Sequence, residues 1–245
     1  MKERADKVLS DRGLVSSRSQ AKSLIEKGDV LIDGKAIKKA GELIEIDSEI
    51  NILAPLYVGR GAFKLEKALS EFGIDPKDLI GMDIGASTGG FTEVLLLNGA
   101  KKVYAIDVGH DQLAKKLRED SRVVNLEGTN IKDLHALDEK ADLAVMDLSF
   151  ISITKVLANV FELLTAEGKL IALIKPQFEA GLARLPKDGV IKDSKVREEI
   201  LAEVIAFAES HGWLHHQTIL SPIEGKTGNT EYLSLFSKDP HHSAH

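Results

Sequence analysis

The sequence predicts an α/β protein built on a doubly wound, mostly parallel sheet and preceded by a small α+β module. Three observations predict it. Beyond residue 73, short apolar runs alternate with helical patterns. A stretch rich in glycine and proline, "APLYVGRGAFK", interrupts the chain near residue 60. Ahead of it lie two short helical patterns and an Asp-Gly hairpin signal, too little chain for a doubly wound sheet. The expected organisation is a module over 1–53, a linker over 54–62, a large domain over 63–240 and a frayed tail over 241–245.

Composition sets the class. Of the 245 residues, 43% are hydrophobic and 29% charged, as in an ordinary globular protein. No apolar run approaches the ~18 residues of a membrane span. The opening "MKERADKVLS" has no signal-peptide core. With no cysteine there are no disulfides and no thiolate metal sites. A cytoplasmic protein without a membrane partner is expected. The net charge of −6 is uneven: residues 1–60 hold 11 Lys/Arg against 10 Asp/Glu, and the remainder 21 against 28. The module is therefore the more basic part, and whole-chain charge does not exclude a nucleic-acid partner.

In the module, Ala5, Val8 and Leu9 fall at helical spacing, and Gly13 stops that helix. Ser17 followed by Gln20 reads as a capping box for a second helix, whose apolar face is Ala21, Leu24 and Ile25 and whose stop is Gly28. "VLIDGKAI" reads as strand, Asp-Gly turn and strand, and "LIEI" continues the sheet. Arg18 and Lys22 lie four apart on the outer face of the second helix, and Arg4 and Lys7 are placed likewise on the first. Two such cation pairs suit a phosphate backbone, and equally an ordinary solvated surface.

In the large domain, Leu65, Ala68, Leu69 and Phe72 mark a helix ending at Gly73. "LIGMDIGA", "KVYAIDVG", "RVVNLEG", "ADLAVMDLS", "GKLIALIKP" and "EYLSLFS" read as strands. "FTEVLLLNG", "DQLAKKLRED", "ITKVLANVFELL" and "KVREEILAEVIAFAESHG" read as helices. "QFEAGLARLPKDGVIKD" is a long connection, expected to be a mobile loop over a site.

The chemistry gathers at strand ends. In "MDIGASTGGFTEV" a strand ends near Asp83, and a turn with Gly85, Gly89 and Gly90 opens a helix, letting backbone approach a ligand. Asp107 ends the next strand, about twenty residues on, where a carboxylate accepts ribose hydroxyls. A dinucleotide-binding turn wants G-x-G-x-x-G, whereas this chain has G-A-S-T-G-G, and Asp83 sits badly beside a pyrophosphate. The zwitterion S-adenosylmethionine suits the pattern better. Its expected contacts are Asp83, Gly85, Ser87, Thr88, Gly89, Gly90, Phe91, Asp107, Asn130 and Asp147. Asp147 ends "AVMD" and Lys175 ends "ALIK". On neighbouring strands both rise from one sheet edge, either as an ion pair or as a reacting pair. Desolvation lowers a lysine pKa from ~10.4, and only a neutral amine takes a proton.

Two resemblances extend this. The order R-x-D-K-x-L, G-L, S-R-x-x-A, L-I-x-x-G-x-V and a "DG" hairpin, over roughly residues 3–50, resembles the S4-type alpha-L RNA-binding module. It implies RNA contacts from Arg4, Lys7, Arg18 and Lys22. Asp33 stands where that family more often has asparagine, so the hairpin tip is expected to add little affinity. "RGAFKLEKAL", "DIGASTGGFT", "MDLSF", "IKPQFE" and "GNTEYL" resemble FtsJ/RrmJ-type ribose 2′-O-methyltransferases. That family's Lys-Asp-Lys-Glu tetrad falls on Lys64, Asp147, Lys175 and Glu231. The resemblance implies a Rossmann-like S-adenosylmethionine-dependent fold with an antiparallel last strand and no metal. Together the two parts resemble the TlyA/hemolysin A family, which implies methylation of cytidine 2′-hydroxyls in 16S ribosomal RNA, 23S ribosomal RNA or both, with ribosomal subunits as partners and Lys175 as general base.

The residues also bear on competing classes of function. A membrane-active hemolysin lacks a spanning segment. A non-catalytic RNA-binding assembly protein would not need all four tetrad positions filled. A base methyltransferase usually shows an Asn/Asp-Pro-Pro-aromatic run where this chain has "DLSF". His211, His215 and His216 suggest zinc by spacing, but Gly212 and Trp213 point to a helix end and turn instead.

Overall fold

The computed structural model describes residues 1–15, 17–53 and 56–241. Ala54 and Pro55 of the expected linker and residues 242–245 of the expected tail lie outside the described residues. The chain divides into two compact units, Met1–Arg60 and Gly61–His245.

The first unit begins with β1 (Lys2–Arg4), α1 (Ala5–Asp11) and α2 (Arg18–Lys27). Ser17 caps α2 by accepting the Gln20 N–H at 3.2 Å, and Gly28 ends it at φ 82°. β2 (Val30–Ile32) and β3 (Lys35–Ala36) form the expected hairpin, pairing Ile32 with Lys35. Its two-residue turn takes φ 49° at Asp33 and 78° at Gly34, which matches the right-handed strand twist. Asp33 also accepts from Ser48 Oγ at 2.9 Å and Glu49 N at 2.9 Å, so its carboxylate anchors the turn.

Two pairings differ from expectation. β4 (Leu43–Glu45), in "LIEI", pairs with β1 as a separate two-stranded sheet. The third strand beside the hairpin is β5 (Ile50–Ile52). Both differences arise from segments of three residues, too short to show a period of two. Ala5, Leu9, Ala21, Leu24, Ile25 and Val30 form a core of their own.

The second unit opens with α3 (Ala62–Phe72), which Gly73 ends at φ 62°. Then come β6 (Ile80–Ile84), α4 (Gly90–Leu97), β7 (Lys102–Asp107), the short α5 (Lys115–Arg118) and β8 (Val123–Glu127). β9 (Ala141–Met146), α6 (Leu157–Leu163) and β10 (Leu164–Ile174) follow. The chain continues through α7 (Pro176–Glu179), α8 (Gly181–Arg184), α9 (Ser194–Ser210), β11 (Trp213–Leu220) and β12 (Tyr232–Lys238). The seven-stranded sheet has the order β11-β12-β10-β9-β6-β7-β8. β8, β7, β6, β9 and β10 run parallel, and β12 is antiparallel to both its neighbours, as expected of the last strand. The central strands are buried on both faces, so they read as apolar runs rather than alternating ones.

Two further expectations are corrected, and the long connection gains detail. β11 is a strand where only a helix end and turn were expected. The helix does stop, with Gly212 at φ 86°, but Trp213 then enters the sheet and packs edge-on against Phe161 at 5.2 Å. "DQLAKKLRED" is helical only over Lys115–Arg118, because Leu113 and Leu117 alone bury and leave one short apolar stripe. The connection after β10, expected as a long loop, carries short helices of its own. It holds α7 and α8, packs Ala180 and Ile191 against Ile200, and is pinned where buried Asn229 accepts the Ile191 N–H and donates to the Gly189 carbonyl.

Candidate active site

Register brings the functional side chains together. Ile84 lies level with Ile106 on one side and Met146 on the other, so Gly85, Asp107 and Asp147 all leave the carboxyl edge of the sheet together. β10 pairs Ile174 with Tyr232, so the next pair outward is Lys175 and Glu231. Ligands of open α/β sheets bind at this edge.

Lys175 is 8% exposed, and its Nζ lies 2.6 Å from Asp147 Oδ1 and donates to Ser149 Oγ at 2.9 Å. The other oxygen of Asp147 stands 4.0 Å from Lys64 Nζ. Lys64 donates to Glu231 Oε2 at 2.5 Å, with both side chains buried. The four residues therefore form one chain of alternating charge: Glu231, Lys64, Asp147, Lys175. Lys64 is buried because α3 turns this one position inward among Ala62, Leu65, Ala68 and Leu69. A lysine and a glutamate inside a protein need partners, and here each has one. The cluster opens outward past Ser149 and Phe150. Phe150 is 90% exposed at φ 64°, and its ring centroid lies 5.1 Å from that of Phe178.

The glycines of the turn also make room within the protein. A Cβ on Gly85 (φ 83°) would stand 2.4 Å from the Asp147 carbonyl oxygen, and one on Gly89 (φ 96°) would stand 2.2 Å from Leu117. These glycines admit close protein neighbours as well as a positive φ. Ser87 and Thr88 are the exposed residues of the turn, while Gly90 and Phe91 are buried in α4. Asp83 is fully buried and accepts Thr92 N at 2.8 Å and Thr92 Oγ1 at 2.7 Å, with Oδ1 unpartnered among the described residues. Burial, with Asp147 and Asp107 nearby, pushes its carboxyl up to about 7, against the pull of Thr92. Asp83 thus braces the turn through Thr92, and Phe91 is buried on α4, where a Cβ on Gly61 would stand 3.6 Å from its ring and 3.9 Å from Asp147 Oδ2.

Asp107 fits the expected ribose acceptor. Its two oxygens accept Ser87 N and Gly109 N, each at 2.7 Å, which aims the carboxylate and leaves lone pairs free on both. Asn130 is exposed in the turn after β8 and accepts the Lys132 N–H at 3.1 Å, and Thr129 N joins that turn to the Asp107 carbonyl at 2.9 Å. These donors and acceptors fit S-adenosylmethionine.

Sequence reasoning passed over Ser149, Glu179 and Asn229. All three lie inside quoted motifs, yet they act by packing and hydrogen bonding, which leave no periodic trace. His215 and His216 sit on β11 and pair with Thr218 at 2.9 Å and Ser237 at 2.8 Å. No metal-binding group occurs among the described residues.

The expected cation face of the first unit is present, with one change of place. Arg4 lies on β1, at the N-cap position of α1. Its guanidinium grips Asp6 through Nε at 3.0 Å and Nη2 at 3.1 Å, and Arg18 reaches the same carboxylate at 2.9 Å. Asp6 is buried, and the paired guanidiniums, Arg4 first, hold its carboxyl down at about 2. Lys7 pairs with Glu3 at 2.8 Å and Lys22 with Glu26 at 3.7 Å. Arg4 and Lys22 also line a groove of about 770 Å³ with Lys38, Lys39, Glu26 and Glu42.

Comparison with known proteins decides the family. The FtsJ-like methyltransferase model matches residues 57–238, and the S4 domain model matches 3–50. The chain belongs to the FtsJ-like methyltransferases. Within that family it is 41% identical over 235 residues to the 16S/23S rRNA (cytidine-2′-O)-methyltransferase TlyA of Mycobacterium tuberculosis, covering 94% of this chain and 88% of the relative. It is 44% identical over 237 residues to Hemolysin A of Brachyspira hyodysenteriae, covering 95% and 99% respectively. A solved Streptococcus thermophilus structure, titled as a hemolysin, superposes with a TM-score of 0.75 at 41% identity, covering 98% of this chain and 89% of that one. Among the described residues no helix is long and apolar enough to cross a membrane.

Proposed function

We propose that this protein transfers a methyl group from S-adenosylmethionine to a cytidine ribose 2′-hydroxyl of 16S ribosomal RNA, 23S ribosomal RNA or both, with Lys175 as general base. The observation that carries this reading is the Glu231–Lys64–Asp147–Lys175 chain at the carboxyl edge of the sheet, beside Asp107 and the glycine turn. The names of the relatives support it.

S-adenosylmethionine, when bound, supplies a methyl group already activated for attack by an oxygen. Asp107 would hold its ribose hydroxyls, the exposed Ser87 and Thr88 would offer polar contacts, and Asn130 would stand at the far turn. The protein's remaining task is to make the 2′-hydroxyl a nucleophile. Lys175 accepts its proton, and Asp147 fixes the amine at 2.6 Å. Ser149 holds the amine from its open side at 2.9 Å. Lys64 and Glu231 anchor Asp147 from behind, so that its carboxylate keeps one orientation. Phe150, exposed at the mouth, offers a ring face to a nucleobase. Arg4, Lys7, Arg18 and Lys22 of the first unit contact RNA phosphates, and a cytoplasmic setting among ribosomal subunits follows from such a substrate.

Transfer of labelled methyl to purified 30S and 50S subunits tests the reading, with the label mapped to a nucleotide. Label on a cytidine ribose supports it. Binding of S-adenosylmethionine without transfer to either subunit refutes it.

A further inference from the structure

The loop after β9 brings Asp147, Ser149 and Phe150 to the site, and it is tied down at a second place by a residue the chemistry above does not use. Glu179 closes α7, four residues after Lys175. Its Oε1 accepts the Ile153 backbone N–H at 2.9 Å, and its Oε2 accepts the Ser152 hydroxyl. At the near end of the loop, Asp147 and Ser149 meet Lys175 at 2.6 and 2.9 Å. Between these ends the Phe150 ring rests 5.1 Å from Phe178. The loop is therefore laced to residues 175–179 at three levels.

The segment it is laced to is firmly held. Phe178 N donates to the Lys175 carbonyl and Ala180 N to that of Pro176, both at 2.9 Å. Ala180 is buried against Ile191 and Ile200. The loop itself has more to lose. Phe150 is held at φ 64°, a conformation unfavourable for a bulky side chain, which persists only where the surroundings over-determine it. Ser149 and Phe150 are both exposed, so solvent-side packing does not supply that constraint. Glu179 is half-buried, and burial pushes its carboxyl up while Ser152, Ile153 and Lys155 favour its charge. An acidic side chain taken out of water to hold a loop is more than a surface ornament.

We propose that Glu179 is a positioning residue. Its carboxylate clasps the Ser152–Ile153 end of the loop and so sets Ser149 and Phe150 around Lys175. The inference rests on the reading of Lys175 as the base. It differs from a purely structural role, which would lower stability without separating catalysis from cofactor binding.

The experiment compares wild type, Glu179→Ala and Glu179→Gln. Glutamine keeps an acceptor for Ile153 N and a polar group for Ser152. Hydrogen exchange reads the loop directly, and methyl transfer to ribosomal subunits reads its consequence. In Glu179→Ala, protection at residues 149–153 should fall at least tenfold while β9 and β10 stay protected. Its kcat should fall at least tenfold with the Kd for S-adenosylmethionine within twofold of wild type. Glu179→Gln should recover kcat to within threefold. Unchanged loop protection in Glu179→Ala overturns the proposal, as does a kcat within twofold of wild type. So does an equal loss of kcat, cofactor affinity and sheet protection. If wild type itself methylates neither subunit, the functional reading fails on its own, and the exchange data still decide the clasp.

Discussion

The two units use the same elementary device, a cation beside a carboxylate, to opposite ends. In the second unit Lys64, Glu231 and Lys175 are buried, and the chain of charges has one arrangement. In the first unit the side chains of Arg4, Lys7, Arg18 and Lys22 are 43 to 62% exposed, while the carboxylates that hold them range from buried Asp6 to exposed Glu26. Burial makes a pair a fixed piece of geometry. Exposure makes it a reservoir of charge, because water and salt screen the pair and a phosphate can compete for the cation. One arrangement suits a proton transfer and the other a polyanion.

The sharpest break in this contrast is Lys175→Ala. A general base is worth about 10²–10⁴-fold in rate, so methyl transfer should fall by that much while S-adenosylmethionine still binds, as calorimetry would show. Glu231→Ala should act chiefly on stability. It leaves the Lys64 ammonium without its close buried partner, at a cost of about 3–5 kcal/mol in chemical denaturation.

Asp83 sharpens the contrast through pH. Its folded pKa, about 7, lies above its ordinary value of 3.8. Between those values the unfolded chain holds fewer protons at this group than the folded one, so its contribution to stability falls as pH rises from about 4 to about 7. Asp83→Asn should remove that slope from the denaturation profile of the second unit. Asp6 has the opposite sign. Its folded pKa of about 2 lies below 3.8, so its contribution is present above about pH 4 and lost as pH falls through about 2. Asp6→Asn should flatten the acid limb of unfolding of the first unit.

The smallest effects belong to the exposed cations. Lys22→Ala and Lys7→Ala should each change stability by no more than about 0.5 kcal/mol. Each should weaken RNA binding across sequences and lower the salt slope by about 1. A stability loss as large as that of Glu231→Ala would erase the contrast between the two units.

Much of this was legible before any fold was known. The apolar runs ending on Asp107, Asp147 and Lys175 marked parallel strands and their carboxyl ends, because a strand buried on both faces has no other reason to stop on a charge. The Asp-Gly hairpin and the Ser17 and Gly28 caps were local, since turn and cap chemistry is written in two to four adjacent residues. The strands β1 and β5 were not legible, being three residues each, and neither was β11, because Gly212 and Trp213 read as a helix end and turn.

What the sequence determined by itself was the kind of residue at each strand end and the order of elements that carries it there. Periodicity, turn chemistry and motif spacing are local quantities, and they reach no further. Only the tertiary structure decided that Lys64 is buried against Glu231 rather than solvated on α3, that Asp83 and Phe91 are buried, and that Gly85 and Gly89 make room for Asp147 and Leu117. It also decided that Ser149 and Glu179 hold the loop beside Lys175. Each of these depends on which distant segments share a volume, and burial, close approach and pKa are properties of that shared volume rather than of any stretch of chain.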